Sequence, residues 1–111
     1  MLIKITKLAA ADHPVFPTAK KEEYKEGQDN GRVSLPVDYY MIGSLVAPIE
    51  EGKPILLLRV SRNGIACLGL FSSSLVLKFD GRIAETMNSK YVIEPLTEED
   101  SVVEKAKQER N

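Results

Sequence analysis

His13 and Cys67 are the only histidine and the only cysteine in the chain. A structural zinc site takes about four Cys or His ligands and a catalytic one about three plus water, so no metal and no metal cofactor is expected. A Cys–His nucleophilic pair would need the two side by side. His13, however, lies in a polar stretch and Cys67 in an apolar one, Ile65-Ala66-Cys67-Leu68-Gly69-Leu70. Cys67 therefore reads as a small buried hydrophobe. Ser72-Ser73-Ser74 lacks a nearby base to activate a hydroxyl and reads as turn serines bonding local backbone. The carboxylate clusters Glu50-Glu51 and Glu98-Glu99-Asp100 contain sequence neighbours, which point apart into water rather than across a cleft. Gly52-Lys53-Pro54 lacks the hydroxyl and the upstream glycine of a phosphate loop. Neither Gly-x-Gly-x-x-Gly nor Gly-x-Ser-x-Gly occurs. The expectation is a protein that is not an enzyme and takes no cofactor.

The remaining candidates are basic. Arg59 and Arg62 flank one turn, Lys78 and Arg82 flank the next, and Lys90 follows. Side by side, these hairpins would present a cationic edge able to contact phosphates. The competing reading makes them outward strand charges that protect sheet edges from pairing. Charge balance favours the second. Fifteen basic residues oppose sixteen acidic ones, a net charge of -1, without the footprint of a general nucleic-acid binder. Aromatic residues are only 6% and Trp is absent, which argues against a base-stacking platform. A nucleic-acid-binding small barrel is kept as the alternative.

The elements that must position these residues read as one domain, 1–111. In 1–9, Ile3 and Ile5 alternate with Leu2 and Lys4, the period of a strand. No basic-then-apolar signal segment is evident there. Stretch 10–32 contains Pro14, Pro17, Gly27, Gly31 and the charge run Lys20-Lys21-Glu22-Glu23-Tyr24-Lys25-Glu26. It reads as a long charged loop with one helical turn, a solvated excursion in preference to a binding loop. Stretch 33–96 is the core, where short apolar runs are cut by turn signals. Asn63-Gly64 suits a type I′ hairpin, and Asp80-Gly81 is read the same way. Stretch 97–111 opens on Thr97-Glu98-Glu99-Asp100, a capping-box pattern with acids first and bases later, and reads as a short helix or a frayed tail. The predicted fold is mainly β: a small, strongly bent, SH3-like antiparallel barrel. An OB-type barrel is second, because no helix is evident between the third and fourth strands.

The core's apolar content sits on both faces of its strands. Ile55-Leu56-Leu57-Leu58 and Ile65 to Phe71 offer no polar face, yet a small barrel has one interior. The second face implies cover by the first strand, the tail or another copy, so a homo-oligomer is expected. Runs such as Ile55 to Leu58 are far too short to span a bilayer. The solitary cysteine fits a reducing, cytoplasmic compartment.

Three segments, Arg62-Asn63-Gly64, Gly69-Leu70-Phe71-Ser72-Ser73-Ser74-Leu75-Val76 and Thr86-Met87-Asn88-Ser89-Lys90-Tyr91, form a pattern over residues 62–91. It resembles uncharacterised small β-barrel proteins encoded by phages and other mobile elements. Those carry a Gly-x-Phe-x-Thr-Ser-type turn and a Thr-x-Asn-Ser-x-Tyr strand; here Ser73 stands in place of the usual Thr. The resemblance implies a mobile-element origin and a non-catalytic role.

Overall fold

In a computed structural model, which describes residues 2–26, 28 and 30–96, every regular element is a strand. They are β1 (Ile3–Ala10), β2 (Tyr40–Leu45), β3 (Pro54–Arg62), β4 (Ile65–Phe79), β5 (Ile83–Thr86) and β6 (Ser89–Pro95). Neighbours follow chain order and β1 pairs with both β2 and β6, so the sheet closes as a six-stranded antiparallel barrel. Ile5 lies opposite Met41 on one side and Ile93 on the other. The stretch 97–111, read as helix or tail, lies outside the described residues. The OB-type alternative fails at β3 and β4, which are joined by two residues with no room for a helix.

Alternation sorts the side chains. Ile5, Met41, Ile55, Leu57, Val76, Ala84 and Tyr91 project inward and form the buried core with Tyr39. Fully burying one Val, Leu or Ile side chain contributes roughly 1.5–3 kcal/mol, so this cluster is what holds the strands in a cylinder. Phe71 packs edge-on to Tyr91, with ring centres 6.5 Å apart.

The two hairpins differ from each other. Arg62 lies opposite Ile65, which leaves Asn63-Gly64 as a two-residue turn. Both have positive φ, 46° and 79°, as a type I′ turn requires. Asp80-Gly81 instead sits in a longer loop, since the last β4–β5 pair is Phe79 with Ala84. There the Asp80 Oδ1 accepts from the amides of Arg82 (2.8 Å) and Ile83 (2.6 Å), so the carboxylate rather than a primed turn shapes the corner.

The serine triplet is not a turn between strands but the middle of β4, which is 15 residues long. Leu56 opposes Ser72 while Pro54 opposes Leu75, so β4 carries one extra residue in between. This bulge lets one strand serve both β3 and β5 by bending. Ser73 fixes it: its Oγ accepts from the Ile55 amide (2.8 Å) and donates to the Ser74 carbonyl (2.6 Å).

The long loop is fastened to the barrel rather than solvated throughout. A turn forms where the amides of Glu23 and Tyr24 reach the Lys20 carbonyl, both at 3.0 Å. Tyr24 then packs edge-on to Tyr39, centres 5.7 Å apart. The Asn88 Oδ1 accepts from the amides of Val15 (3.1 Å) and Phe16 (3.2 Å). Thr18 and Ser34 pair as an isolated parallel bridge.

Candidate functional site

The structure disperses the five basic residues. The two hairpins stand at opposite ends of β4 rather than side by side. Arg59 continues the inward parity of Ile55 and Leu57. Its guanidinium crosses Gly69 and donates to the Cys67 carbonyl (3.4 Å) and Sγ (3.5 Å). Cys67 is accordingly half-buried and hydrogen-bonded, not a core hydrophobe. Arg62 Nε pairs with the Glu26 carboxylate at 3.0 Å, tying the charged loop to the end of β3. Arg82 lies 3.8 Å from Glu94. Lys90 meets Asp12 at 2.8 Å and Glu85 at 3.8 Å, and this ammonium holds the Asp12 carboxyl below the usual range. Lys78 is exposed opposite Glu85. Nor do Arg59, Arg62 and Lys90 guard edges, because each lies where its strand is paired on both sides.

Two other features carry more chemistry. The first is Lys7, wholly buried at 0% exposure. Its position follows from the alternation that buries Ile5, two residues earlier, so period two carries Lys7 inward as well. The pairing of β1 with β6 slips in register just after it, between Lys7 and Ala9. The ammonium Nζ donates to Thr18 Oγ1 (3.0 Å) and Ser34 Oγ (3.2 Å), both brought in by the loop. Ser34 Oγ is in turn 3.1 Å from Ser89 Oγ on β6. No carboxylate pairs with Lys7 among the described residues. Burial lowers its pKa to about 8, as expected for an ammonium stripped of water with only neutral partners.

Ser34 and Ser89 also form part of the wall of a pocket of about 170 Å³, together with Phe71, Ser74, Asn88 and Tyr91. Burial pushes the Tyr91 phenol up, opposed by a hydrogen bond from the Ser89 hydroxyl. Ser74 Oγ is buried without a hydrogen-bond partner. Thr86 bonds the turn before β6, its hydroxyl accepting from the Ser89 amide at 3.1 Å. Ser89 and Asn88 instead reach across to the loop.

The second feature is an outer face. Leu58 and Leu70 lie directly opposite each other on β3 and β4, 57% and 60% exposed, and Leu68 beside them is 81% exposed. The exposed Val46 extends the strip past the end of β2. Arg59, the nearest cation in sequence, projects to the other side.

Among the described residues no group of three or more His, Cys, Asp or Glu is placed to hold a metal ion. None of their helices is long and apolar enough to cross a membrane. The chain matches no protein-family model, and no curated protein or solved structure is significantly similar to it.

Proposed function

We propose that this protein is a small non-catalytic interaction module that self-associates through the outer face of β3 and β4. The observation that carries the reading is the strip Leu58, Leu68 and Leu70, contiguous by register and more than half exposed. Large apolar residues gathered on one face mark an interaction surface rather than scattered surface hydrophobes. An apolar strip without charge specificity is self-complementary about a two-fold axis, so a second copy is the occupant it fits. The resemblance over residues 62–91 adds a mobile-element origin, and the solitary Cys67 suits a reducing cytoplasm.

Sedimentation equilibrium tests the association. The native chain is expected to show a concentration-dependent mass above that of the 111-residue monomer. Leu58→Glu with Leu70→Glu should return it to monomer without unfolding it, because both side chains point outward. A native chain that stays monomeric at millimolar concentration, or a double variant that associates unchanged, would overturn the proposal. The nucleic-acid reading has less support, since Arg59, Arg62, Arg82 and Lys90 are all engaged within the fold. It requires salt-dependent binding, and a flat titration against DNA and RNA at low salt would remove it.

A further inference from the structure

We infer that the serine-lined pocket beside Lys7 binds a small oxyanion, a carboxylate or a phosphate group, with Lys7 supplying the charge from behind the wall.

The line of hydrogen-bonded side chains from Lys7 to the pocket wall carries the argument. An ammonium can only donate, so Ser34 Oγ accepts from Lys7, and it shares a further hydrogen bond with Ser89 Oγ, 3.1 Å away. The full positive charge of Lys7 thereby polarises the hydroxyls that stand between it and the pocket. Such chains strengthen successive donors. Ser34, Ser89 and Tyr91 all line the pocket.

Two further observations point the same way. Ser74 Oγ, in the same wall, is buried and has no partner, which costs free energy unless a ligand satisfies it. The pocket lining contains no Asp or Glu. A buried cation normally brings a carboxylate with it, because an unpaired charge in a low dielectric is expensive. Here the interior supplies only neutral oxygens, and the missing negative charge is what a bound oxyanion would bring. A volume of about 170 Å³ accommodates the anionic head and a short attached group.

The test uses the full chain with its lysines carbon-13 labelled at Cε, followed by NMR. Inorganic phosphate and acetate are titrated separately, with sodium chloride of matched ionic strength as the control. The expected result is a saturable shift of the Lys7 signal with phosphate, acetate or both, absent with chloride. Its titration midpoint should move upward, since a neighbouring anion favours the charged amine. Saturation by phosphate alone or by acetate alone would assign the headgroup. Ser74→Ala should weaken binding at least severalfold while leaving the Lys7 signal in place. Lys7→Met should abolish the anion-dependent rise in melting temperature; if that variant fails to fold, Ser74→Ala decides. No saturable shift with either anion at tens of millimolar, or equal affinity in Ser74→Ala, would overturn the inference. Neither outcome depends on whether the chain self-associates.

Discussion

Lys7 is the residue at which local pattern and chemistry disagree most. Pattern prevails: its neighbours Ile5 and Met41 must face inward, and Lys7 shares the parity of Ile5. The cost appears as pH dependence. An amine whose folded pKa is lowered to about 8 binds fewer protons folded than unfolded between that value and its ordinary one. Stability therefore rises with pH across that window. The buried phenols of Tyr39 and Tyr91, both pushed above their ordinary value, act oppositely once pH passes about 10. Urea midpoints should thus climb from pH 7.5 to 9.5 and turn down above that. Lys7→Met should flatten the climb and raise the midpoint at neutral pH, as replacing a buried charge by an apolar side chain often does by about 1–4 kcal/mol. Asn88 gives a second prediction at this scale. Asn88→Ala frees the Val15 and Phe16 amides at a cost of about 1 kcal/mol, read as faster hydrogen exchange across 11–24 with the barrel strands unchanged. The inward parity of Lys7 was legible from Ile3 and Ile5. Its partners were not, because Thr18 and Ser34 arrive through a loop with no periodicity to read.

At the scale of elements, β2 and β3 approach closely at a register slip between Ile42 and Gly43. A Cβ at Gly43 would run into the Leu58 carbonyl oxygen and lie 2.9 Å from the Arg59 Cα. These are backbone atoms fixed by the ladder and cannot yield. Gly43→Ala should destabilise by roughly 3 kcal/mol or more, seen as a large drop in melting temperature. Gly52→Ala makes a contrasting control: space is open there, and the strain comes from its positive φ of 82° alone. The strands and the Asn63-Gly64 hairpin could be read in advance because their signals are local. The Ser72-Ser73-Ser74 bulge could not, since an extra residue exists only relative to the partner strand. The same limit applied to the basic residues. Their spacing along the chain said nothing of Glu26, Asp12 and Glu94, which lie far off in sequence and neutralise three of them.

For the whole molecule, closure decides how it can associate. Every strand has two neighbours, with β5 pairing to β4 only over Val76, Lys78 and Phe79, and the proposed association runs through the outward side chains of β3 and β4. Apolar contact is weakly sensitive to ionic strength, whereas charge pairing fades as the screening length falls from about 10 Å at 0.1 M salt to about 3 Å at 1 M. The dissociation constant of the proposed self-association should accordingly be nearly unchanged over that range. Closure also brings the two ends of the described barrel together, with the Leu96 amide donating to the Leu2 carbonyl at 3.1 Å. The two ends of the barrel thus lie within hydrogen-bonding distance of each other. Splicing Leu2 to Leu96 through a short linker and opening the chain at Asn63-Gly64 would preserve all six strand pairings while giving the molecule new termini beside the leucine strip, where a fused reporter would sense its occupancy.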